Sequence, residues 1–166
     1  MCIRDRDGVE REYLAAFGRV TGWRLDGDGA ELVLLDDDDD AELLRFGQAS
    51  PVGDWEVTAF LTGNAVSSPL PGSTITASFA EDGALTGSAG CNTYTTRFTT
   101  NQGDIEIGSP ASTKKFCPAP EGVMEQETAY LAAIPTAVRY RVDGASLALL
   151  SADGTYIATF QPASQP

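Results

Sequence analysis

The tightest constraint on the fold is how soon each hydrophobic period stops. Between Trp55 and Phe160 apolar residues recur at every second position for a few residues, then halt at a glycine, a proline or an Asp-Gly pair. Trp55, Val57, Ala59 and Leu61 alternate with Glu56, Thr58 and Phe60, and Ile75, Ala77 and Phe79 repeat the pattern. A period of two puts one set on one face of a strand. Seventeen glycines and nine prolines, spread along the whole chain, supply such stops. Helical spacing shows in one window here, EGVMEQETAYLAAI at 121–134, just ahead of Pro135, which cannot continue a helix. Val123, Thr128, Tyr130, Leu131 and Ile134 share much of one face, with Glu125 and Gln126 on the other. Strands resume at 137–142, 146–150 and 155–160, joined by turns at Asp143-Gly144 and Asp153-Gly154. Eight or nine short antiparallel strands and one helix predict a mainly β (α+β) fold. A small antiparallel barrel or strongly curled sheet fits best, because closure removes exposed edges.

Residues 10–47 repeat the end of this pattern. Tyr13-Leu14-Ala15-Ala16 matches Tyr130-Leu131-Ala132-Ala133; Trp23 meets Tyr140 and Leu25 meets Val142. Asp26-Gly27 then meets Asp143-Gly144, residues 30–35 meet 145–150, and Phe46 meets Phe160. The expected organisation is a partial first copy at 9–47, comprising a helix and about three strands, ahead of a complete copy at 52–162. The opening MCIRDR resembles a translated adapter sequence, so residues 1–8, Cys2 included, are expected to be a non-native leader. Five aspartates at 36–40 fall where the second copy makes a hairpin turn. An EF-hand fails there: Asp36, Asp38 and Asp40 start correctly, but position six is Ala41 and position twelve Gly47.

Net charge is −13 with no long basic run, which argues against nucleic acid and anionic membrane surfaces as partners. A cationic protein or another envelope component stays open. No apolar run reaches the roughly 18 residues of a membrane span, and MCIRDRDGVE has no signal-peptide core. The chain has no histidine, which removes Ser–His and Cys–His pairs and the commonest zinc ligand. No spacing nominates a carboxylate pair. The expectation is no catalytic, cofactor or metal site, and hence no enzyme. Arg139 and Arg141 alternate around Tyr140, so both face one side; that side is a solvated face or a contact for a small anion or acidic partner.

Gly87-Ser88-Ala89-Gly90-Cys91-Asn92, with Tyr94, resembles the G-x-x-GCN-x-Y core of the META domain (HslJ-like) family. Ser112-Thr113-Lys114-Lys115-Phe116-Cys117 is similar to its S-T-x-x-x-C segment, and Met124 to Glu127 to its M-x-x-E helix start. Leu147-Ala148-Leu149 and Phe160 resemble its last hairpin. The likeness covers residues 52–162. It implies a barrel-like domain with one helix, a periplasmic, envelope or extracellular location, and a link to stress without an established activity. It also implies a Cys91–Cys117 disulfide and structural roles for Gly87, Gly90, Asn92, Tyr94, Thr113 and Glu127.

On the residues alone the cysteines stay open between a disulfide, buried thiols and a redox pair, though the spacing is not C-x-x-C. A disulfide would close a loop of about 25 residues, worth on the order of 3 kcal/mol. Gly87 and Gly90 would flank a bend whose backbone Asn92 satisfies. Glu125 and Glu127 suit the positive end of the helix dipole. The expected function is a non-enzymatic binding or structural module. The alternatives are an acidic inhibitor of a cationic enzyme such as lysozyme, and a calycin-like carrier with a cavity of a few hundred Å³.

Overall fold

The computed structural model describes residues 11–12, 14–26, 31–36, 42–47, 49–143 and 145–163. The leader, Asp37 to Asp40, Gly27 and Gly144 lie outside them. The chain divides into two units, Met1–Gln48 and Ala49–Pro166.

In the first unit, helical residues 14–17 precede an antiparallel sheet of β1 (Gly22–Asp26), β2 (Glu31–Leu35) and β3 (Glu42–Gly47), in that spatial order. Arg19 pairs with Asp36, the first of the five aspartates, at 3.6 Å, and Arg24 with Glu42 at 3.6 Å.

The second unit begins with β4 (Gly53–Thr62), β5 (Ala65–Ser67), β6 (Thr76–Phe79) and β7 (Ala84–Ser88). Next come β8 (Thr93–Asn101), β9 (Asp104–Ile107) and the two-residue β10 (Ala111–Ser112). Helix α1 (Val123–Ala133) and a 3-10 turn (Ile134–Thr136) lead into β11 (Arg139–Asp143), β12 (Ser146–Leu150) and β13 (Tyr156–Pro162). Eight strands close into an antiparallel barrel in the order β8-β7-β6-β4-β13-β12-β11-β9. The ring shuts where β9 returns to β8, from Phe98↔Ile107 to Asn101↔Asp104. β5 folds back on β4, and β10 pairs with β8. Closure satisfies the backbone groups that an open sheet would leave at its edges.

Side chains fill the interior. Phe79 meets Phe98 and Phe160 edge-on, with ring centroids 5.0 and 6.4 Å apart, and Phe60 meets Tyr130 of α1 at 5.8 Å. Leu147, Leu149, Ile75 and Ala77 complete the same cluster. Edge-to-face rings add roughly 0.5–1.5 kcal/mol per pair to the burial itself.

Two faces differ from the sequence expectation. Phe60 was expected opposite Trp55 and Val57, yet all three are buried. A bulge explains it: Phe160 faces Val57 and Thr159 faces Ala59, so Thr58 is an extra residue on β4. One inserted residue reverses the alternation beyond it. In α1 the buried residues are Val123, Gln126, Glu127, Tyr130 and Ala133, while Thr128 is exposed. The inward face therefore includes two polar residues, because partners wait for them inside.

Gly87 marks where two strands crowd together. A Cβ there would stand 2.0 Å from the Thr76 carbonyl oxygen and 3.0 Å from the Tyr94 ring. Gly87→Ala is expected to cost about 2–3 kcal/mol through forced separation of β6 from β7. Gly63→Ala, in open space at φ +62°, meets only backbone strain and should cost about 1 kcal/mol. Urea denaturation of both variants checks this; equal losses would reject the packing explanation.

Candidate functional site

The bend after β7 turns at Gly90, whose φ of +109° favours glycine. Space demands glycine as well: a Cβ would lie 2.6 Å from Ser73 Oγ and 2.8 Å from Gln126 Nε2. The bend brings Cys91 to Cys117, bonded with Cα atoms 6.0 Å apart, and thereby ties it to the chain entering α1. The pair is a disulfide, not two free thiols.

Asn92, the next residue, is buried and reaches well beyond its own bend. Its Oδ1 accepts from Thr113 Oγ1 and from the Lys115 N–H, both at 2.7 Å. Its Nδ2 donates to the Lys115 carbonyl and to Glu127 Oε1, both at 3.0 Å. Its backbone N–H donates to Glu127 Oε2 at 2.8 Å. One side chain thus joins the bend, the 113–115 segment and α1. Glu127 was expected to serve the helix dipole; it is buried and holds Asn92 instead.

Gln126, placed by the sequence on the outer face, makes a parallel link. Its Oε1 accepts from the Leu70 N–H at 2.6 Å, and its Nε2 donates to Ser73 Oγ at 2.7 Å. The spacing 123, 126, 127, 130, 133 would have revealed it, had polar residues been allowed on the inner face.

Tyr130 donates to Tyr94 Oη at 3.0 Å, and Tyr94 donates onward to the Thr76 carbonyl at 3.0 Å. Burial pushes the Tyr94 phenol up to about 12, opposed by the bond from Tyr130. Burial also holds Tyr130 well above 10, reinforced by Tyr94. Among the described residues no buried side-chain polar atom lacks a partner.

Gly87, Gly90, Asn92, Tyr94, Thr113, Glu127 and the disulfide therefore meet in one clasp. Arg139 and Arg141 lie elsewhere. Arg139 donates to the Ala152 carbonyl at 3.0 Å and Arg141 to Tyr156 Oη at 2.7 Å, so neighbouring hairpin groups engage both guanidiniums.

Residues 48–164 match the META domain family profile. The chain belongs to the META domain family. No curated protein matches it. Among solved structures, it is similar to an NMR structure of a protein from Burkholderia xenovorans, at 23% identity and TM-score 0.56, covering 68% of this chain and 83% of that one. A crystal structure of a DUF4847 family protein from Bacteroides vulgatus ATCC 8482 matches at 19% identity and TM-score 0.45, covering 69% and 94%. The first likeness concerns fold alone. In this META domain the motif residues are spent on holding the barrel, the helix and the 112–117 segment together.

A surface groove of about 550 Å³ lies over the clasp. Lys114, Lys115, Phe116, Met124, Thr128 and Leu131 contribute to its walls. Phe116 is 80% exposed, and both lysines are exposed. Among the described residues no group of three or more His, Cys, Asp or Glu side chains could hold a metal, and no helix is long and apolar enough to cross a membrane.

Two outcomes follow from the clasp. Asn92→Ala removes every side-chain bond at its centre and is expected to cost about 2–4 kcal/mol in urea, with Thr113→Val costing about 1. A smaller loss for Asn92 than for Thr113 would contradict this assignment. The tyrosines set an alkaline limit. An unfolded chain releases these protons near 10; the folded domain holds Tyr94 to about 12 and Tyr130 well above 10, so above pH 10 the unfolded state binds fewer protons. Their contribution is complete below about pH 10 and falls as pH rises toward 12. Tyrosinate absorbance should show two of the five tyrosines ionising only as circular dichroism reports unfolding.

Proposed function

We propose that this META domain is a non-enzymatic binding module of the cell envelope or the extracellular space, and that it binds an acidic, partly apolar peptide segment of a partner protein in the groove beside α1. The observation that carries this reading is the composition of the 112–117 segment. On a chain of net charge −13, it presents two exposed lysines and an exposed phenylalanine side by side. Burying one such ring is worth roughly 1.5–3 kcal/mol. The adjacent ammonium groups would select carboxylates and speed encounter. The clasp and disulfide hold the segment in place, which lowers the entropy lost on binding. The disulfide also supports an oxidising compartment. A carrier function has less support, because aromatic and aliphatic side chains occupy the barrel interior.

The test is an amide NMR titration with a capped tetrapeptide in which two glutamates flank leucine and phenylalanine. Expected shifts cluster at 112–117 and 124–132. Phe116→Ala should weaken binding about tenfold. The double change Lys114→Glu, Lys115→Glu should abolish it, and added salt should weaken the native interaction. Shifts located elsewhere, or binding that survives the charge reversal, would refute the groove as the binding site.

A further inference from the structure

A second depression, of about 210 Å³, opens on another flank of α1. It lies between the β4–β5 hairpin, the loop at 67–70 and the first turn of the helix. It shares no lining residue with the groove over the clasp. Local sequence explains its walls. β5 folds back on β4 through Phe60↔Ser67 and Thr62↔Ala65. Pro69 and Pro71, which have no N–H, keep that ladder from extending. The chain turns instead, and the Ser73 N–H donates to the Leu70 carbonyl at 2.9 Å. Gln126 holds the turn from the helix side, accepting from the Leu70 N–H at 2.6 Å and donating to Ser73 at 2.7 Å. The helix entry is bare at Gly122, and Leu70 Cδ1 stands only 3.4 Å from where a Cβ would be. The walls are therefore fixed before any ligand arrives, which lowers the entropy lost on binding.

The lining divides by polarity. Phe60 is buried and Leu70 half-buried, so an apolar floor lies beneath the opening. Glu125 and Ser68 are exposed at its rim, with Ser67 half-buried beside them. The Gln126 amide is engaged at both ends. The Glu125 carboxylate and the two serine hydroxyls are different: among the described residues none has a hydrogen-bond or ion-pair partner within the chain. No lysine or arginine lines the pocket. An anion would meet a carboxylate there with no cation to offset it. An ammonium group brings three donors and no acceptor, which suits a rim of oxygens.

Size narrows the class further. A cavity of roughly 150 Å³ holds benzene, and drug-sized ligands need roughly 300 Å³ or more. The pocket thus takes a six-membered ring with a short arm. A lysine tail is a single methylene chain and would leave part of the volume unfilled, at the loss of its contacts. We propose that this pocket binds a small primary amine, whose ammonium meets Glu125 and the rim hydroxyls and whose ring-sized apolar body seats against Phe60 and Leu70.

The experiment titrates the full chain with benzylammonium chloride and follows backbone amide shifts. Shifts are expected at 60–70 and 122–126 and not at 112–117, so this site and the peptide groove succeed or fail separately. Benzyl alcohol, of like shape without the charge, should bind at least about tenfold more weakly, and benzoate should not bind. Glu125→Gln should weaken the amine at least about tenfold. Glu121→Gln removes the same charge from a residue outside the pocket and should change binding less than about twofold. Ser68→Leu should fill the opening and remove the shifts. Glu125 and Ser68 are exposed and unbonded, so both variants should keep the native melting temperature. The proposal is overturned if benzyl alcohol binds as well as the amine, or if no shift appears at about 50 mM amine. Equal losses from Glu121→Gln and Glu125→Gln also overturn it, since they would assign the effect to the overall acidic field. So does tighter binding of N-acetyl-lysine amide, which would assign the pocket to a partner's lysine.

Discussion

Glu127 holds its carboxylate away from water, where an unpaired charge would cost several kcal/mol, and Asn92 takes both oxygens. That cost is why the surrounding elements cannot drift independently. Asn92 can meet Glu127 only if the bend after β7 stands against α1. It can meet Thr113 and Lys115 only if their segment crosses the same point. Gly90 must lack a side chain there, because Ser73 and Gln126 occupy the space. Gly87 lets β7 approach β6 closely enough for Tyr94 to reach the Thr76 carbonyl. One buried carboxylate–amide contact thus fixes a bend, a helix and a strand crossing together.

The same network gives the domain its rigid surface. Of the 112–117 segment only Ser112 belongs to a strand, the two-residue β10. Left to that ladder it would fray. Bonds from Asn92 and the disulfide at Cys117 hold it against α1, so Lys114, Lys115 and Phe116 stand on a firm base despite their exposure. Thr113 and Cys117 bond into the clasp, while the three side chains between them, Lys114, Lys115 and Phe116, line the groove.

Much of this architecture was legible from local pattern. Period-two runs, their glycine and proline stops and the single helical window foretold a small antiparallel barrel with one helix, and the GCN and S-T-x-x-x-C segments pointed to the META family. The misjudged faces share a cause. Phe60 turns inward because of a bulge set by pairing with Thr159 and Phe160, about a hundred residues away. Gln126 and Glu127 turn inward because Leu70, Ser73 and Asn92 satisfy them, again from distant segments. A periodicity count ranks residues by hydrophobicity and cannot see a partner supplied from elsewhere in the chain.

The sequence by itself determined which segments would be strands and where they would turn, because these depend on neighbours within a few positions. Only the tertiary structure decided that the motif residues bond to one another in a clasp, and that its outer side is a groove carrying two lysines and a phenylalanine. Whether a polar side chain is bonded, and whether an apolar one is covered, depends on what the rest of the chain brings to it.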